Sequence, residues 1–207
     1  MNLNHNIRIA LISLLFVLNF STVSSQVKLN IIDKTVSFGM RTTQLRDINT
    51  IIVHSVYNAS GGDIYDIDQI INQFARYHVS AHYVIGREGT IYQLVKEKNV
   101  SFHAGKSSLP DGRSGVNNCS IGIELMDSVS TSPTEEQIKS LTLLVKDIQS
   151  RHPIKYVLRH SDIAPGRKTD PWNMDWVDFI GRISDKGPFI NFKPDSAKTL
   201  KIDSLFK

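Results

Sequence analysis

Apolar positions recur along this chain in two rhythms, one of continuous or alternating runs and one of roughly every third or fourth residue. Thr50-Ile51-Ile52-Val53-His54 is β-branched and apolar, which reads as a buried strand, and it ends on a histidine. Asn58-Ala59-Ser60-Gly61-Gly62 then breaks the chain into a loop. Asp66 with Gln69 makes a capping-box-like start, and Ile67, Ile70, Ile71 and Phe74 follow at helical spacing, predicting a helix to about Tyr77. Residues 81–86 and 90–95, separated by Arg87-Glu88-Gly89, read as a hairpin. Residues 104–118, rich in Gly, Ser, Asn and Asp, form the longest predicted loop. Ser120-Ile121-Gly122-Ile123-Glu124-Leu125 is a strand, expected to be central, with a carboxylate where strand composition does not call for one.

The second helix carries a clear start signal: Ser132 as cap, Pro133 in the first turn and Glu135 completing the box. Ile138, Leu141, Leu144, Val145 and Ile148 then line one face. Tyr156-Val157-Leu158-Arg159-His160 is a strand that again ends on histidine, and a long loop to Trp172 leads to a short helix carrying Met174, Val177 and Ile180. Strands interleaved with helices predict an α/β fold: one domain, residues 48–183, with a central mixed sheet covered by helices. Residues 26–47 are an unassigned lead-in and residues 184–207 a polar tail.

The first 25 residues follow neither rhythm. After polar Asn2 to Asn6 and basic Arg8, residues 9–20 are almost purely apolar, and Ser21-Thr22-Val23-Ser24-Ser25 gives a small-residue exit before Gln26. This predicts a secretory signal peptide. The apolar run is about a dozen residues, short of the roughly 20 that a membrane-spanning helix needs, although an uncleaved N-terminal anchor is the alternative reading. No cysteine lies near the cleavage region, so a lipid-modified terminus is not expected. The mature protein is expected in the periplasm or secreted, without stable membrane insertion.

Composition narrows the classes further. With 207 residues, 41% hydrophobic and 21% charged, the chain can bury a proper core, and compositional disorder is excluded. Its 24 Lys+Arg against 20 Asp+Glu are too balanced and too scattered to argue for a nucleic-acid partner. The single cysteine, Cys119, excludes an internal disulfide, so packing must carry stability. Its expected role is a small buried hydrophobe in a strand.

Candidate chemistry begins at the two strand-end histidines, His54 and His160, because ligands of α/β sheets gather at strand ends. Asp170 follows His160 by ten residues. Two histidines and a carboxylate make a catalytic zinc set with a fourth position for water, whose pKa such a metal lowers toward about 7. The same residues have plainer readings. A strand-end histidine is often a hydrogen-bonded structural residue, and Asp170-Pro171 is a common turn opening. No compact motif such as H-E-x-x-H is present, so spacing alone leaves the choice open.

The stretch His160-Ser-Asp-Ile-Ala-Pro-Gly-Arg-Lys-Thr-Asp170-Pro171 resembles the C-terminal signature of the type 2 N-acetylmuramoyl-L-alanine amidases, a superfamily that includes phage amidases and peptidoglycan recognition proteins. Four further segments match in order: residues 51–54, 80–85, 102–105 (Phe-His-Ala-Gly) and 117–124 (Asn-Asn-Cys-Ser-Ile-Gly-Ile-Glu). The resemblance spans about residues 48–182. It implies zinc ligands at His54, His160 and Asp170, a water-activating carboxylate at Glu124, and a cation steadying the tetrahedral intermediate at Lys168. It implies substrate-groove positions at His103 and Asn117.

These roles agree with elementary chemistry: a carboxylate beside an activated water can take its proton and deliver it to the departing amine. A lysine two residues before a ligand can face the developing oxyanion. Glu124 as a structural ion-pair partner, Lys168 as a solvated cation and His103 as a packing residue remain open, and His82 reads as structural or as support for a ligand. Two departures stand out. Trp172 follows Asp-Pro where the family often has glycine, and Ala81 stands where phage members use tyrosine, which increases the burden on Glu124.

The resemblance thus implies a zinc-dependent hydrolase that cleaves the amide between N-acetylmuramic acid and L-alanine in peptidoglycan or muropeptides. A non-catalytic peptidoglycan-binding protein of the same fold is the alternative, and the three filled ligand positions argue against it. A zinc peptidase acting on the peptide stem is a third reading, opposed by the final signature.

Overall fold

The computed structural model describes residues 29–184, so the leader and most of the polar tail lie outside the described residues. In chain order the elements are β1 (Ile31–Asp33), β2 (Met40–Arg41), β3 (Thr50–Val56), α1 (Ile67–Tyr77), β4 (Tyr83–Ile85), β5 (Ile91–Gln93), β6 (Val100–Ser101) and β7 (Ser120–Met126). There follow α2 (Glu135–Arg151), β8 (Tyr156–Arg159), the single turn α3 (His160–Ile163) and α4 (Trp176–Ile183). Six strands form one sheet in the order β1-β5-β4-β7-β3-β8, and β2 pairs with β6 in a separate ribbon. Strands β4, β7, β3 and β8 run parallel, while β5 turns back antiparallel on β4 and β1 pairs parallel with β5. The sheet is therefore mixed, as expected.

The two central strands, β3 and β7, are buried along their whole length. That explains their continuous apolar runs: a parallel strand covered on both faces has no solvent side to make polar. The faces separate by alternation. Ile51 and Val53 with Ile121, Ile123 and Leu125 meet Leu141, Leu144, Val145 and Ile148 of α2 and Phe179 and Ile183 of α4. The opposite face carries Ile52, His54 and Val56 beside Gly122, Glu124 and Met126. There the apolar residues split into two clusters. Ile52 packs with Ala104, Leu109, Val116, Leu158 and Ile163, and Val56 and Met126 pack with Ile70 and Phe74 of α1. His54 and Glu124 occupy the ground between.

Several local expectations shift. Strand β3 continues two residues past His54, because Ser55 and Val56 still pair with Leu125 and Met126. Helix α2 starts in a different frame: Thr134, not Ser132, is its cap, and Gln137 completes a reciprocal box. Both Ser132…Glu135 and Thr134…Gln137 fit the local pattern. Tertiary contacts choose the second, since Gln137 is buried and donates to the carbonyls of Ile85 and Met126 at 3.0 and 3.1 Å. In α4 the buried residues are Phe179 and Ile183, whereas Val177 is 83% exposed and Met174 precedes the helix. Cys119 is only half-buried and lies between a 3₁₀ turn, Val116–Asn118, and β7, rather than within a strand. Part of the lead-in joins the fold, β1 forming the sheet edge and β2 the ribbon with β6. No helix among the described residues is long and apolar enough to cross a membrane.

Candidate metal centre

Register brings the first pair together: His54 of β3 lies directly opposite Glu124 of β7. His160, the residue after β8, enters from the other side. Asp170 returns through the loop that follows α3. The stretch from the end of β8 through α3 and this loop is held at several points. Arg159 and Asp162 pair side chain to side chain, the backbone N–H of Ser161 donates to the carbonyl of Asp170 (3.0 Å), and the N–H of Trp172 donates to the Ser55 hydroxyl (3.2 Å). The Asp170–Pro171 peptide bond is cis.

Three ligand-type atoms converge. His54 Nδ1 lies 2.9 Å from His160 Nδ1, His160 Nδ1 lies 3.1 Å from Asp170 Oδ2, and His54 Nδ1 lies 3.5 Å from the same oxygen. All three residues are buried. Zinc–nitrogen and zinc–oxygen bonds of about 2.0–2.1 Å give a tetrahedral edge of about 3.3 Å, so these separations match one face of a tetrahedron. Two imidazole nitrogens and a carboxylate oxygen also form the donor set that zinc prefers in open sites. On spacing and on donor chemistry the residues fit the metal.

The electrostatics are those of a desolvated site. Burial pushes His54 down to about 4 despite the pull of Asp170, and the neighbouring His160 and Lys168 push the same way. Burial alone raises Asp170, but the adjacent imidazoles of His160 and His54 outweigh it and hold the carboxyl well below the usual range. Glu124 goes the opposite way. Burial, reinforced by the Asp170 carboxylate and only partly offset by Lys168, pushes it well above the ordinary carboxylate value. Its Oε2 is buried without a hydrogen-bond partner. Such an atom costs free energy unless something arrives to satisfy it, so in a native site it marks a place for chemistry or for a ligand.

A cavity of about 330 Å³ opens over these groups and is lined by His54, Glu124, His160, Lys168 and Asp170. His103, Asn117, Phe102 and Trp172 also contribute to its wall. All seven residues singled out from the sequence therefore reach one cavity. They do so differently. Lys168 is exposed on the rim. Asn117 uses its Oδ1 to accept the N–H groups of His103 and Ala104 at 3.2 and 2.8 Å, so that oxygen shapes the wall. Trp172 is steered by a hydrogen bond from its Nε1 to Thr169 (3.0 Å) and by the Tyr57 ring. His82 is structural: its Nδ1 accepts the N–H of Gly122 at 3.0 Å, and burial first, with Arg46 adding to it, pushes it down to about 3.

Sequence reading passed over Ser55, whose N–H reaches Asp170 Oδ2 (3.4 Å), and over the Ala104 carbonyl, 3.3 Å from His160 Nε2. Backbone groups leave no mark in side-chain patterns. Only the small residue after His103 hints that the chain passes close to a ligand.

Comparison with known proteins bears on the whole arrangement. Residues 44–173 match the Amidase_2 family, described as N-acetylmuramoyl-L-alanine amidase. The 1,6-anhydro-N-acetylmuramyl-L-alanine amidase AmpD of Citrobacter freundii is 39% identical over 113 residues, which are 53% of this chain and 60% of that protein. A crystal structure of an AmpD derivative superposes with a TM-score of 0.61 at 29% identity, covering 72% of this chain and 93% of the other. The Escherichia coli amidase AmiD, in complex with the substrate anhydro-N-acetylmuramic acid-L-Ala-D-gamma-Glu-L-Lys, superposes with a TM-score of 0.55 at 30% identity, covering 69% and 60%. Against the curated AmpD of C. freundii, then, the chain spans 60% of the relative's length.

Proposed function

Because the chain belongs to the N-acetylmuramoyl-L-alanine amidase family, we propose that it is a zinc-dependent amidase that hydrolyses the bond between N-acetylmuramic acid and L-alanine in peptidoglycan or its fragments. The observation that carries this reading is the convergence of His54 Nδ1, His160 Nδ1 and Asp170 Oδ2 beside the unpartnered Oε2 of Glu124. His54, His160 and Asp170 would hold the zinc, which when bound would supply Lewis acidity toward the amide carbonyl and lower the pKa of a water toward neutrality.

The protein's own residues do the rest. Glu124, desolvated and raised in pKa, takes the proton from the attacking water and returns it to the amine that leaves with L-alanine. The amide C–N bond breaks as the carboxylate of the muramic lactyl group forms. Lys168 on the rim offsets the negative charge that gathers on the carbonyl oxygen. Phe102 and Trp172 give the cavity apolar flanks suited to the faces of a sugar ring.

Purified protein incubated with peptidoglycan should release new N-terminal L-alanine and leave the glycan strands intact, and chelation should stop the reaction. Shortened glycan strands, or cleavage within the peptide stem, would overturn the reading. The proposed site of action lies outside the cytoplasm, and the leader-like residues 1–25 support this. Intact-mass measurement on the native protein should find it beginning near Gln26, whereas retention of Met1 in a membrane fraction would show an anchor instead.

A further inference from the structure

His103 lines the cavity, yet neither of its ring nitrogens faces open space. We propose that His103 is a positioning residue, whose Nδ1 fixes the proton of His54 on Nε2 and so keeps the Nδ1 of His54 bare and aimed at the metal position. The inference rests on the zinc reading above and adds to it a residue whose two ring nitrogens meet only protein groups.

A count of the available protons fixes the direction of each bond. The carbonyl of Val116 can only accept, and Ser120 Oγ lies 2.7 Å from it, so the one hydroxyl proton of Ser120 is committed there. His103 Nε2 lies 3.0 Å from the same Oγ and must therefore be the donor. A neutral imidazole has one N–H, so His103 Nδ1 carries a lone pair. The two contacts of the His103 ring are Ser120 Oγ and His54 Nε2, neither of them an anion that would hold a second ring proton. His54 Nε2, 2.9 Å from His103 Nδ1, then has to donate. With that proton committed, His54 Nδ1 is bare where it meets His160 and Asp170. The direction is set by a carbonyl three links away.

The next residue treats the other imidazole in the same manner. The carbonyl of Ala104 stands 3.3 Å from His160 Nε2 and can only accept, so that nitrogen is the donor and Nδ1 is the one turned toward the metal position. The guanidinium of Arg167 also donates to that carbonyl, at 2.9 Å. Two consecutive residues thereby orient both histidine ligands. Asn117 clamps the pair by accepting from both backbone N–H groups.

An independent packing observation agrees. A Cβ at Gly122 would fall 2.4 Å from His103 Cγ, closer than real side chains come. Glycine inside a central strand costs stability and often marks the close approach of another group. Here that group is the imidazole of His103.

Partners that orient a metal-bound histidine typically account for 10- to 100-fold in metal affinity. The test compares wild type, His103→Leu and His103→Gln, reading zinc affinity by chelator competition and the melting temperature of each zinc-free protein. Gln retains an oxygen that can accept from His54 Nε2–H, and Leu retains only volume. His103→Leu should bind zinc about 10- to 100-fold more weakly, with His103→Gln recovering most of the loss. A purely structural His103 would instead lower both melting temperatures and leave affinity within about twofold, far inside the range expected of a ligand-orienting partner. That result would overturn the proposal.

Nitrogen-15 imidazole spectra of the zinc-free wild type give a second reading that needs no variant to fold. The proton of His103 should be on Nε2, and a proton on Nδ1 would refute the chain of donors. Affinity and tautomer are both measured without turnover, so failure here is separable from failure of the amidase reading.

Discussion

Glu124 shows how much one residue's chemistry depends on what surrounds it. It stands in β7 among side chains made for burial, opposite His54, with an oxygen that has no partner. Buried unpaired carboxylates are costly, and strands do not keep them for stability. Glu124→Gln should therefore separate catalysis from folding. General acid–base assistance contributes about 10²–10⁴ in rate, so kcat should fall by that range with KM little changed. The zinc-free variant should melt no lower than wild type, because a neutral amide replaces a buried carboxyl group whose Oε2 has no partner. Turnover near that of wild type would remove Glu124 from the mechanism, and a steep loss of melting temperature would make it a structural residue.

Helix α2 illustrates the element scale. Its apolar stripe is readable from period alone, but its starting frame is chosen by what Gln137 touches. That side chain accepts the N–H of Thr134 at 3.1 Å and donates to the carbonyls of Ile85 and Met126, so one residue caps the helix and ties it to the ends of β4 and β7. Arg87 joins the same cluster, donating to Gln137 and to Asp127. Gln137→Ala should cost about 1–3 kcal/mol in denaturant unfolding, since it removes the reciprocal half of the capping box and the side-chain donor to the Ile85 carbonyl, while the Met126 carbonyl keeps the Arg87 guanidinium. Ser132→Ala, at the cap position that the local pattern favours, should cost little. The reverse ranking would restore the sequence-predicted frame.

At the scale of the molecule, the site exists because one sheet face is covered by two separate apolar clusters with a gap between them. The gap is walled by residues far apart in the chain, which folding alone brings together. Binding to the folded form only should then stabilise the whole domain, by about 4 kcal/mol when free zinc exceeds the dissociation constant a thousandfold. Wild type should show a zinc-dependent rise in melting temperature. Asp170→Ala, which removes one of three converging donors, should show almost none while folding normally without the metal. An equal rise in both proteins would take Asp170 out of the ligand set.

Local order was written in the sequence by itself. The continuous apolar runs of β3 and β7, the helical stripe of α2 and the Asp66 cap of α1 follow from side-chain period and capping chemistry, which act within a few residues. The seven candidate residues were found there too, because they fall on ordered segments that resemble one family. Only the tertiary structure decided how they meet. The pairing of His54 with Glu124 is a matter of strand register, and His54 and His160 touch across 106 positions of chain. The Thr134 frame, the edge strand drawn from the lead-in and the exposure of Val177 depend on neighbours that no short window contains. His103 is the clearest case. Its type and place were legible, but which of its nitrogens carries the proton is set by Ser120, Val116 and His54, three groups that meet only in the folded chain.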